Sequence, residues 1–147
     1  MRMSNVIFLL GSLALPNFFN NAWADELQRE STTLEECGLY SQAGMRECLA
    51  KKSHESQAAL RRAEGQAVAA LSKWDEDAKF IKLAKAKLIA SIKAYEHYRD
   101  AQCAFVSALG GGAIGNALEL RCLSCIIELN RERTKQLNTD SSALPSK

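Results

Sequence analysis

Proline is nearly missing from this chain of 147 residues: Pro16 and Pro145 are its only two. Between them nothing carries the strongest helix breaker. Sustained alternation of apolar and polar residues is missing too, which excludes an extensive half-exposed β-sheet. Histidine is reduced to His54 and His97, at no metal-ligand spacing, and no cluster of four close Cys/His ligands stands anywhere, so a structural zinc site is excluded. Neither charge sign dominates: 19 basic and 17 acidic side chains leave a formal +2, without the strongly basic face that a nucleic-acid partner requires. The longest apolar run, Val6–Leu15, is too short to span a bilayer, which takes roughly 20 apolar residues. No serine has a visible His and acid partner, and no carboxylate pair shows a glycosidase-like arrangement. These absences argue against an enzyme, and no cofactor is expected.

What is present begins with the N-terminus. Arg2, the apolar run Val6–Leu15 and the small-residue site Ala22-Trp23-Ala24 compose a secretory signal peptide over residues 1–24. No cysteine stands at that site, so a lipid anchor is not expected there. Cleavage after Ala24 would leave 123 residues, one domain's worth, in the periplasm or outside the cell, with no stable membrane insertion. All five cysteines, Cys37, Cys48, Cys103, Cys122 and Cys125, lie beyond the site, and an oxidising compartment favours disulfides.

The exported part is rich in Ala, Leu, Lys, Glu, Gln and Arg, which favour helix. Residues 25–36 read as a flexible acidic arm, with five acids against Arg29. A short loop follows over Cys37–Gly44. Helical spacing of apolar residues then predicts three long helices, over about Ala43–Ser72, Asp77–Leu109 and Ile114–Leu137. The first carries Met45, Cys48 or Leu49, Ala59, Leu60, Ala63, Ala67, Ala70 and Leu71. The second carries Ile81, Leu88, Ile92, Tyr95, Phe105 or Val106, and Leu109, with lysines at 79, 82, 85, 87 and 93 giving its first half a solvated or acid-binding face. The third carries Leu118, Cys122 or Cys125, Ile126 and Leu129. Gly110-Gly111-Gly112 closes the second helix, and residues 138–147 read as a disordered tail. Stripes on otherwise polar helices must be buried against one another. The fold class is therefore all-α, a small antiparallel bundle.

The cysteines admit two readings. Cys122-Leu-Ser-Cys125 has the spacing of a redox pair, but it falls inside a helix with no preceding strand, and Ile126 stands where haem attachment needs a histidine. A thiol-disulfide oxidoreductase through Cys122 and Cys125 would need a depressed thiol pKa. Alternatively, Cys103 pairs with one of the two and staples the hairpin, while Cys37 and Cys48 tie the N-terminal loop to the first helix. One thiol is left over, and an exposed one would allow a disulfide-linked dimer.

Tyr98-Arg99-Asp100-Ala101-Gln102-Cys103, Gly111-Gly112-Ala113, Met45-Arg46-Glu47-Cys48, Leu60, and Cys125 through Arg133 to Leu137 resemble the LprI-type lysozyme inhibitor family. The likeness covers about Leu34–Leu137 and marks residues 37–137 as the domain. Gly44, Gln57, Tyr95, Arg61, Ala113 and Asn130 stand where the family usually has Glu, Asp, Trp, Asn, Ser and Thr. The resemblance implies an exported, disulfide-braced, non-catalytic domain, Cys103 paired with Cys125, and Cys122 as the extra thiol. It implies structural roles for Arg99, Asp100, Gly111, Gly112 and Arg133, with Arg99 and Asp100 making separate bonds to a helix end or to Arg133 and Glu132. As partner it implies lysozyme, met by the basic half of the second helix or the Gly110–Gly115 turn. An envelope interaction module without lysozyme activity fits the same residues, as monomer or dimer.

Overall fold

A computed structural model describes residues 33–113 and 115–146. The leader, its cleavage site and residues 25–32 of the arm lie outside the described residues.

The described chain is helical, without strands. A short helix α1 covers 33–38, followed by α2 (Gln42–Lys73), α3 (Ala78–Ala108) and α4 (Ala117–Ser142). The Ser41 side chain accepts from the Gly44 backbone N–H at 3.3 Å and caps α2, satisfying one of the donors a helix start leaves open. At the other end the extended backbone of Trp74 stops α2, and Asp77 opens α3 three residues later. α3 runs antiparallel to α2 and α4, which run parallel to each other, as the pairs Gln42–Asn116 and Ser56–Asn130 against Tyr95–Asn130 and Ser107–Leu118 show. α2 packs most extensively on α4, α3 packs mainly on α4, and α2 and α3 touch least.

Two apolar clusters hold this arrangement. Leu60, Ala63 and Ala67 of α2 meet Leu137 of α4, with Leu88 and Tyr95 of α3 against them. The alanines let the backbones approach closely. Nearer the α1 end, Cys37, Leu49 and Ile127 form the second cluster, lined by Leu34, Met45, Cys48, Leu120 and Leu123. Fully burying a side chain such as Leu49 or Leu60 contributes roughly 2 kcal/mol.

The structure departs from the sequence reading at four places. The 33–38 segment, expected to close a flexible arm and open a loop, is helical, because Leu34 packs into the second cluster and Thr33 is fully buried. Residues 138–147 are not a frayed tail throughout: α4 continues to Ser142, and the chain then folds back so that Asp75 N–H donates to Pro145 O at 2.9 Å. Leu137 in the first cluster carries the helix past its expected end. On α4 the fully buried residues are Ser124, Cys125, Ile127, Asn130 and Leu137, while Leu118, Ile126 and Leu129 are only half-buried. α4 is the central helix, so its covered arc is wide and includes polar positions. On α3, Val106 turns inward, and Phe105 and Leu109 face solvent at 57% and 63% exposure.

The glycine turn makes the α3–α4 reversal. Gly111 has φ +56°, which glycine adopts without strain. Gly110 is there for space: a Cβ on it would stand 2.4 Å from Leu118 Cδ2 and 3.2 Å from Ser107 O. Gly110→Ala is expected to cost about 1 kcal/mol, because the Leu118 side-chain tip can shift but the Ser107 carbonyl cannot. A urea titration reads that as a lowered midpoint.

Candidate functional site

At one end of the bundle two loops lie together. Loop 39–41 joins α1 to α2, and the glycine turn joins α3 to α4. Asn116 Nδ2 donates to the Gln42 carbonyl at 3.1 Å and links them. Arg46 and Glu119 reinforce the link through an exposed 2.7 Å ion pair. Each loop is braced by a disulfide directly behind it: Cys37–Cys48, with 5.7 Å between Cα atoms, and Cys103–Cys125, with 5.5 Å. On these braced loops large apolar side chains face solvent: Leu39 is 88% exposed, Tyr40 60% and Leu109 63%. Gly111 and Gly112 are exposed between them, and a side chain on either would meet no neighbouring atom.

Behind this end Thr33 is held by α4. Its hydroxyl donates to Glu128 Oε1 at 2.8 Å and accepts from Arg131 Nη1 at 2.6 Å. The Lys52 ammonium donates to the Glu36 carboxylate, and that hydrogen bond lowers the Glu36 pKa.

A polar seam crosses the middle of the bundle, where all three long helices contribute. Asn130 of α4 is fully buried. Its Nδ2 donates to Ser56 Oγ at 3.1 Å and Gln57 Oε1 at 3.4 Å on α2. Its Oδ1 accepts from Tyr95 Oη at 3.3 Å and Arg99 Nη1 at 3.4 Å on α3. Both donor hydrogens and both lone pairs of the amide are thus used, the condition under which a buried polar group is tolerated. Arg99 Nη1 donates to Gln57 Oε1 at 2.7 Å, and its Nε and Nη2 reach Asp100 Oδ1 at 3.0 and 2.8 Å. The expected separate bonds of Arg99 and Asp100 are therefore corrected: the long guanidinium curls back onto its own neighbour. Arg133 sits with its guanidinium 5.7 Å from the Tyr95 ring centre and donates from Nη2 to Ser91 Oγ at 2.7 Å and from Nη1 to Gln136 Oε1 at 3.4 Å. Burial pushes the Tyr95 hydroxyl up to about 12, so it stays a donor across the physiological range.

The seam brings Arg99, Asp100 and Arg133 into one region. Ser56 joins it although nothing in the sequence reading singled it out, and Asn130, marked there only for standing where the family usually has Thr, is its centre. The usable signal was positional: Ser56 falls four residues before Leu60 and seven after Leu49, and Asn130 three after Ile127, so both are polar residues on apolar stripes.

Glu64 lies near the seam. Burial raises its pKa first and repulsion from Glu96 second, against the pull of Arg133, Arg61 and Arg99. A raised carboxylate pKa means that the folded state holds the proton more tightly than the unfolded one. Stability should therefore fall as pH rises from the ordinary glutamate value through the raised one. Glu64→Gln is expected to flatten that decline; melting temperature against pH for both proteins checks it.

Cys122 is the free thiol, half-buried, and burial raises its pKa, with Asp100 and Glu119 adding to the shift. An attacking redox thiol requires the opposite. Its neighbour Cys125 is already engaged across the bundle with Cys103. Among the described residues no group of three or more His, Cys, Asp or Glu could hold a metal ion, and no helix is long and apolar enough to cross a membrane.

A family model described as lysozyme inhibitor LprI matches residues 36–137. No curated protein and no solved structure matches the chain significantly.

Proposed function

The chain belongs to the LprI lysozyme inhibitor family, and on that premise we propose that it is an exported, non-catalytic binding protein whose braced loop end docks on a lysozyme. The observation that carries this reading is the pairing of loops and disulfides. Two loops side by side are each tied from behind by a cystine and present Leu39, Tyr40 and Leu109 outward. An inhibitor gains affinity when its contact loops lose little freedom on binding, and a covalent brace supplies that preorganisation. Exposed Tyr and Leu beside glycines that leave the backbone accessible suit insertion into a concave cleft. The two disulfides and the signal-like leader support export to the periplasm or beyond. The polar seam, on this reading, is structural.

The test is a lysis assay. The oxidised protein, titrated against lysozymes of several types, should slow the clearing of bacterial cell walls stoichiometrically. Reduction should abolish the effect, and Tyr40→Ala should weaken binding about tenfold or more, as loss of an interface anchor does. Absence of inhibition at high excess over every lysozyme type would reject the reading. It would leave an envelope interaction module, a role that the exposed apolar residues along α3 also favour.

A further inference from the structure

α3 has two apolar faces, and the fold uses one. Ile81, Leu88, Ile92 and Tyr95 turn toward the bundle. On the opposite side Phe80 and Leu83 are 44% and 54% exposed, and Ala86, Ala90 and Ala94 are exposed with them. At about 100° per residue these five fall within roughly a third of the helix circumference. Six of the nine large hydrophobic residues exposed among those described lie on α3 or its C-cap, so the apolar surface is concentrated there.

The same half of the helix is strongly basic. From Ala78 to Lys93 it holds Lys79, Lys82, Lys85, Lys87 and Lys93 and no acid. Lys82 and Lys93 border the outer stripe on one edge, and Lys79 and Lys87 stand among its apolar residues. Among these lysines only Lys79 has a carboxylate within ion-pair distance in the described structure, Asp77 at 3.9 Å. A stripe of apolar residues bordered by unpaired lysines is the pattern of a helix that lies in a membrane interface.

We infer that the Ala78–Lys93 half of α3 is a docking surface for an anionic phospholipid bilayer. The helix lies along the surface, Phe80 and Leu83 enter the headgroup boundary, and Lys82, Lys87 and Lys93 meet headgroup phosphates. Charge complementarity selects this occupant. A second copy placed parallel would set lysines against lysines. Placed antiparallel, its α3 would offer them only Glu96 and Asp100, of which Asp100 already holds Arg99, and the acids Asp75, Glu76 and Asp77 before the helix would reach Lys93 alone. A bilayer presents mobile anionic charge to every lysine at once. The inference does not depend on the inhibitor reading, because the loop end and the outer face of α3 are separate surfaces.

The experiment is vesicle co-sedimentation of the oxidised protein after leader removal, with each variant first checked for wild-type helicity. Phosphatidylglycerol vesicles should bind it and phosphatidylcholine vesicles should not, with binding weakened by salt. Each lysine at an anionic surface contributes about a fivefold gain in partitioning, so Lys82→Glu/Lys87→Glu/Lys93→Glu should bind about 100-fold less or weaker still. Lys51→Glu/Arg62→Glu/Lys135→Glu, with the same net charge change on α2 and α4, should retain most of the binding, and Leu83→Asp should lose it. No binding to anionic vesicles, or equal loss in both triple variants, would overturn the inference. So would a concentration-dependent dimer abolished by Leu83→Asp without vesicle binding, which would assign the face to a second copy.

Discussion

Replacing Cys103 and Cys125 together by serine is expected to lower stability by about 3 kcal/mol, the loop entropy of a 22-residue separation. The effect should fall mainly on α3. That helix is 31 residues long, yet Cys103 is its only fully buried residue. α2, by contrast, buries Leu49, Ser56, Leu60, Ala63 and Ala67. The bond to Cys125 therefore supplies much of what fixes the C-terminal half of α3 to α4. In urea the double variant should unfold at a clearly lower midpoint with a similar slope. Cys122→Ser, which removes a half-buried thiol outside both cystines, should stay within about 0.5 kcal/mol of the parent. On the proposed inhibitor reading, the same double variant should also inhibit lysozyme more weakly, because α3 and the glycine turn would be held less firmly against α4. An unchanged midpoint would show that side-chain packing on α4 alone secures α3.

Asn130→Ala should cost about 3 kcal/mol as well, by a different route. The substitution removes a fully buried amide that bonds Ser56, Gln57, Tyr95 and Arg99. Gln57 and Arg99 keep their mutual 2.7 Å bond, but Ser56 and Tyr95 lose the partner that justified their position. Filling the space with Asn130→Leu should not restore stability, since the surrounding polar groups would then face a hydrocarbon. The bonds form one unit. A double-mutant cycle between Asn130→Ala and Gln57→Ala, followed by urea unfolding, should therefore show a coupling of about 1 kcal/mol or more. Additive single effects would mean that the helices are held by the apolar clusters independently of the seam.

Much of the architecture was legible in residue order. The all-α class follows from helix-forming composition without internal proline, and the second helix, expected over Asp77–Leu109, spans Ala78–Ala108. The family likeness was legible too, in the arginine-aspartate-cysteine stretch and the glycine run. The rotation of α4 was not. Periodicity marks where apolar residues lie, and Ser124 and Asn130 are polar residues on a covered arc. The seam was hidden for the same reason: an amide is acceptable in a core only when partners on other helices complete its bonds, and sequence does not show those partners. Nor did the apparent tail reveal that Pro145 would accept a hydrogen bond from Asp75.

The amino-acid sequence by itself determined the three long helices, the turn between the last two, and the supply of cysteines, because propensity, glycine conformation and the 3.6-residue period act over a few neighbouring residues. The tertiary structure alone decided which face of α3 is left outside, which loops share one end, and which polar groups satisfy one another. Each of those depends on distances between residues far apart in the chain, as between Gln42 and Asn116 or Gln57 and Arg99, and such distances exist only once the helices have packed.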